Sequence, residues 1–200
     1  MPPTRPLRHL CHGIQATVGM MEMQGKPRVL AVAEIFFPDP SRGGGRRRQV
    51  FIDTYAKEIA MTLRFDVSKD APAAYQALYA VSNLLAAGSL PVGLKHLVDL
   101  RVSQMNVCGY CINLHLDWGK RDGESEARLA AVCNWRNSDL FDAGEKAALA
   151  WAEALTVRDV AAFDALHAEL GRHFARDGIA ELTMMVATIN AWNRIGIASH

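Results

Sequence analysis

From Asp70 onward, apolar side chains recur every three or four positions, the period of a helix with one buried face. Tyr75, Leu78, Tyr79, Leu84 and Leu85 mark a first helix, which Gly88 stops. Leu94, Leu97, Val98, Val102 and Met105 form the apolar face of a second, from Leu90 to about Asn106. A third begins near Cys108 and runs to about Arg121, where Asp122-Gly123 ends it. Ser125 to Trp135 gives a short fourth. Asp142, with Glu145 three residues on, reads as a capping box that opens a fifth helix through Leu155. A sixth starts at Thr156 or Asp159 and reaches about Phe174; the last runs from about Ile179 to Ile197, after Asp177-Gly178. No segment alternates between turn signals strongly enough to make a core strand. The pattern predicts an all-α domain with short connections between antiparallel neighbours.

Before residue 61 that periodicity is missing. The segment holds most of the prolines and the run Arg42-Gly43-Gly44-Gly45-Arg46-Arg47-Arg48, and Val29 to Phe37 suits a short strand or helical turn with no evident pairing partner. The division is therefore a tail over residues 1–60 and a helical domain over 61–200. The Arg/Gly run suits either an arm for nucleic acid or an acidic partner, or a solvated disordered tail, and composition favours the tail. A third reading removes the segment altogether. Lys57-Glu58 can be encoded AAG-GAG, which resembles a bacterial ribosome-binding site at a suitable distance before Met61, so Met61 is a candidate natural start.

Two hundred residues, half of them hydrophobic and 22% charged, are enough for one domain with a sizeable core. The net charge of +1 is split: +4 over residues 1–60, with 9 Lys+Arg against 5 Asp+Glu, and −3 over the remainder. Such a domain carries no signature for nucleic acid, and no apolar run has the length of a membrane span. The N-terminus makes a poor signal peptide. With only four cysteines, the composition points to a reducing cytoplasm, where C-x-x-C is catalytic or metal-binding more often than structural. The glycines at 43–45 lack the Lys-Ser/Thr of a phosphate loop.

The chemistry concentrates at Cys108, Cys111 and His115. Residues three and four apart share one face of a helix, so a helix beginning near Cys108 puts both sulfurs and the imidazole on one stripe. A helix N-terminus lowers a thiol pKa, and an imidazole one turn away can take or return a proton. Redox chemistry, a metal site and inert packing all fit the spacing. Zinc would need a fourth ligand, which nothing nearby supplies. Cys133 reads as a small buried apolar residue, Tyr110 as a packing residue off the cysteine face, and Asn190, Trp192 and Asn193 as either site neighbours or satisfied polar groups of a buried helix.

Leu100-Arg101-Val102-Ser103-Gln104-Met105-Asn106, the cysteine pair and Leu114-His115 resemble the carboxymuconolactone decarboxylase/AhpD-like alkylhydroperoxidase family. The resemblance continues through Asn134-Trp135-Arg136, Phe141, Glu145 to Thr156, and Ala187 to Arg194, and so covers roughly residues 61–200. It implies an all-helical AhpD-like fold assembling as homotrimers or homohexamers. In peroxidase members the catalytic set is two cysteines, the histidine after them, and a glutamate twelve residues before the first cysteine. Here these positions hold Cys108, Cys111, His115 and, in place of the glutamate, His96. Asp99 follows one turn after His96 and is placed to orient or charge that imidazole. Val107 stands where the family usually has glycine, which is expected to alter the turn into the helix.

The resemblance implies a thiol-dependent peroxidase that takes a hydroperoxide substrate and an external dithiol reductant protein, with no metal, flavin or haem. Two alternatives stay open. One is an acid/base enzyme of the lactone decarboxylase kind, against which the dithiol argues. The other is a non-peroxidase disulfide oxidoreductase or redox-sensing module, which the His96 departure keeps in play.

Overall fold

The computed structural model describes residues 63–199. The Val29–Phe37 segment, the Arg/Gly run and the Met61 start lie outside the described residues. Among the described residues eight α-helices follow in order: α1 Val67–Asp70, α2 Pro72–Ala86, α3 Val92–Met105, α4 Gly109–Arg121, α5 Glu126–Ala131, α6 Ala143–Val157, α7 Phe163–Leu170 and α8 Arg176–Ser199. Short 3-10 segments, Val132–Asn137 and Val160–Ala162, precede α6 and α7. Among the described residues there is no strand, and no helix is long and apolar enough to cross a membrane.

Local signals set the helix ends. Asp142 accepts from the Glu145 backbone N–H at 2.8 Å while Glu145 accepts from that of Asp142 at 3.0 Å, so the capping box is complete. Pro72 opens α2, where its missing N–H costs nothing. At the α2–α3 turn, Lys95 Nζ donates to the carbonyls of Ala86 and Gly88, and Glu181 of α8 accepts from the backbone of Ser89 and Leu90. Two predicted helices are shorter than their patterns suggest. The fourth breaks after Ala131 into a 3-10 segment in which Asn134 is non-helical. The sixth stops at Leu170 instead of Phe174, because residues 171–174 turn back through bonds to the carbonyls of His167, Glu169 and Leu170.

The centre of the domain is α3. Leu97, Val98, Leu100 and Val102 are all fully buried, as are Ala148, Leu149 and Ala152 of α6 and Leu182 of α8. Helix α3 packs against α4, α6 and α8 together, so its buried residues run from Leu94 to Gln104 with a break only at Asp99, polar ones included. That explains why it carries no clean polar face. By contrast α2 buries no residue at all and lies against α8. The side of the domain under α2 is where the chemistry sits.

Candidate active site

The turn between α3 and α4 is built for the dithiol. Asn106 Nδ2 donates to the side-chain oxygens of both Asn190 and Asn193 on α8, at 2.9 Å each, and Asn193 donates on to Ser103 Oγ at 3.0 Å. These asparagines, which the sequence left between two readings, clamp the turn to the last helix. Val107 then adopts φ 57° with its side chain exposed. That left-handed conformation is costly for a β-branched residue and free for glycine.

Cys108 is the N-cap of α4, and its sulfur accepts from the Cys111 backbone N–H at 3.4 Å. The two sulfurs are joined as a disulfide with Cα atoms 5.3 Å apart. Both cysteines are buried, and Cys111 together with His115 lines a cavity of about 770 Å³. On the far side, Gly196 of α8 approaches the pair so closely that a Cβ there would lie 3.4 Å from one sulfur and 3.6 Å from the other. No periodicity argument could single out this glycine, because it acts across a helix–helix contact.

Aromatic and aliphatic groups form most of the cavity wall. Tyr75 and Tyr79 of α2 stack, Trp192 of α8 meets Tyr75 edge-on at 5.5 Å, and Trp118 of α4 meets His115 edge-on at 5.6 Å. Tyr110 also lines it but is largely exposed, so its predicted packing role is corrected: α4 begins at Gly109, and at Tyr110 it faces solvent while Cys111 turns inward. Cys133 is buried outside the disulfide, with its sulfur toward the Ala130 carbonyl.

Two pairs of titratable groups converge in the wall, matched differently from the prediction. His96 Nε2 bonds Asp122 Oδ2 at 2.7 Å, a residue 26 positions on and at the end of α4. Asp99, expected to serve His96, turns instead to His115, whose Nδ1 lies 3.8 Å from its Oδ2. That is too long for a hydrogen bond, and both His115 Nδ1 and Asp99 Oδ1 are buried with no partner. Burial pushes the His115 imidazole down to about 4, helped by the nearby His96. Burial pushes the Asp99 carboxyl up to about 8, which the Lys95 ammonium only partly offsets. Among the described residues, no group of three or more His, Cys, Asp and Glu is arranged to hold a metal ion.

The remaining motif residues build a second polar cluster away from the cavity. Glu153 Oε1 accepts from Arg101 Nε at 2.6 Å and from Trp135 Nε1 at 2.9 Å, while its Oε2 pairs with Arg136 at 2.6 Å. Burial alone would raise this carboxyl, but the Arg101 charge and the bonds from Arg136 and Trp135 win and hold it below its ordinary value.

Fold and site together define an all-helical domain with a dithiol capping one helix over an apolar cavity. The chain belongs to the carboxymuconolactone decarboxylase family, whose model matches residues 72–154. Over 105 residues it is 34% identical to the uncharacterised protein YdfG of Bacillus subtilis (strain 168), spanning 52% of this chain and 71% of that one. A solved protein of unknown function from Agrobacterium tumefaciens, ATU0492, described as a candidate AhpD antioxidant defence protein, is 31% identical. It superposes with a TM-score of 0.66 over 69% of this chain and 95% of its own. The debrominase Bmp8, solved with 2,3,4-tribromopyrrole, shares the fold at 20% identity, with a TM-score of 0.61 over 81% of this chain and 87% of its own.

Proposed function

We propose that the chain is a thiol-dependent peroxidase of the alkyl hydroperoxide reductase type. The observation that carries this reading is that Cys111 and His115 face one cavity while Cys108 stands bonded to Cys111 from the N-cap. In the reduced protein Cys111 loses its proton to His115, and the thiolate attacks the distal oxygen of a hydroperoxide. The S–O bond forms, the O–O bond breaks, and the leaving alkoxide is protonated. Cys111 is then a sulfenic acid. Cys108 condenses with it, releasing water and giving the disulfide, and an external dithiol protein in a reducing cytoplasm returns both thiols by exchange. His96, fixed by Asp122, lines the same cavity beside His115. Assembly as a homotrimer or homohexamer belongs to the same proposal.

Purified protein with a dithiol reductant is expected to consume cumene hydroperoxide, and Cys111→Ser to abolish turnover. Full activity in that variant would refute the assignment. A second reading draws on Bmp8 and on the aromatic cavity wall: the same two electrons from the dithiol could reduce a carbon–halogen bond, releasing halide and leaving the disulfide. Halide release from a bromopyrrole, with no hydroperoxide consumption, would favour it.

A further inference from the structure

We infer that Asp99 is a catalytic acid of this site, sharing one transferable proton with His115 and delivering it to the leaving oxygen in the cavity. Three observations converge. Asp99 lines the cavity beside Cys111 and His115. Its Oδ1 atom and the His115 Nδ1 are buried with no partner, whereas among the described residues the buried charged side chains Lys95, Arg101 and Glu153 are all bonded. Its Oδ2 stands 3.8 Å from that same Nδ1, close enough to exchange a proton after a small rotation and too far for a resting hydrogen bond. A buried polar atom left without a partner costs free energy, and a site that passes protons is one place where such a cost is tolerated.

The surrounding charges leave Asp99 poorly placed to ionise. Lys95, on its own helix, has its ammonium bonded to the Ala86 and Gly88 carbonyls and 3.5 Å from Glu181 of α8. His96 is spoken for by Asp122, and Asp66, at the start of α1, by Lys69. Helix α4 brings Arg121 and Tyr110 to the cavity, and α2 brings the phenols Tyr75 and Tyr79. Helix α8 faces the cavity with uncharged side chains only, Met185, Thr188 and Trp192 among them. With the carboxyl raised to about 8 and the imidazole lowered to about 4, the pair holds one proton at neutral pH, and that proton resides on Asp99.

The proton account then closes, resting on the peroxidase reading only for the identity of the acceptor. Cys111 gives its proton to His115 and attacks the hydroperoxide; the sulfur is oxidised and RO⁻ leaves. Asp99 protonates RO⁻ to the alcohol, which leaves a carboxylate facing the imidazolium. His115 returns its proton to Asp99 as Cys108 and the sulfenic acid condense to disulfide and water. The sum is two thiols and ROOH to disulfide, ROH and water, with the pair restored.

The full chain, oxidised and uniformly labelled with carbon-13, tests the acid independently of turnover. The carboxyl signal lost in Asp99→Asn is expected to titrate near pH 8, and the wild type to show at pH 7 a carboxylic-acid infrared band that this variant lacks. In the cumene hydroperoxide assay, Asp99→Asn is expected to lower kcat at least tenfold with KM little changed and to abolish an alkaline limb near pH 8, while Asp99→Glu recovers part of the rate. An Asp99 signal titrating near pH 4, or an Asn variant with the wild-type rate and alkaline limb, would overturn the inference. Absence of any hydroperoxide turnover in the wild type would sink the peroxidase reading, and the carbon-13 titration would still decide the state of Asp99.

Discussion

The two polar clusters on either side of α3 are made from similar residues and behave oppositely. Around Glu153, Arg101, Arg136 and Trp135 fill both carboxylate oxygens, and the carboxyl is held below its ordinary value. Around His115, a carboxyl and an imidazole lie side by side with an orphaned atom each, and burial drives both toward their neutral forms. A buried charge with every lone pair occupied fixes geometry and costs dearly to break. A buried pair left incomplete can change its protonation state without rebuilding the core. The first cluster ties α3 and α6 into a scaffold; the second is where protons can move.

Breaking the scaffold cluster has the largest expected effect. Glu153→Ala leaves Arg101 buried without its anion and should cost about 3–5 kcal/mol, read as a lowered midpoint in urea. It should not shift the pH profile of the activity, whereas Asp99→Asn should change that profile.

The second prediction is a pH dependence of stability. Alone, Asp99 with its raised pKa contributes stability that is lost as pH rises toward about 8. Alone, His115 with its lowered pKa contributes stability that grows as pH rises from about 4 to its ordinary 6.5. The two slopes cancel below pH 6.5. Above it the unfolded chain has released both protons while the native pair keeps one, so stability falls until about pH 8. One proton corresponds to about 1.4 kcal/mol per pH unit, so the fall is about 2 kcal/mol. Urea unfolding of wild type and Asp99→Asn across that window checks it, since the variant should lack this fall.

Gly196→Val is third. Its side chain would press on both sulfurs, with an expected cost of about 1–2 kcal/mol, and differential scanning calorimetry of the oxidised protein measures it. The smallest effect is at the turn. Val107→Gly relieves the left-handed strain at φ 57° and should stabilise by roughly 1 kcal/mol after the entropy of the added glycine is counted, visible in the same denaturation assay.

The local parts of this architecture were legible in the chain. Helix period, the Asp142–Glu145 capping box and the stop at Asp122-Gly123 depend on neighbours within a turn or two. The placing of Cys108, Cys111 and His115 on one helix needed no more than their spacing. What escaped depends on contacts between distant segments. Asp122 reaches His96 because α4 folds back along α3, and the same packing turns Asp99 to His115. Gly196 is defined only by the sulfurs of another helix, and Glu153 by partners, Arg101 and Trp135, that lie 52 and 18 positions away.

On the proposed function, Cys108 and Cys111 exchange electrons with a hydroperoxide under His115's control. The most direct measurement mixes fully reduced protein with one equivalent of cumene hydroperoxide, without reductant, and follows peroxide loss and peptide masses together. One equivalent of peroxide is expected to be consumed, with a Cys108–Cys111 disulfide formed and Cys133 unchanged. Peroxide left intact, or consumed while Cys108 and Cys111 both stay reduced, would contradict it.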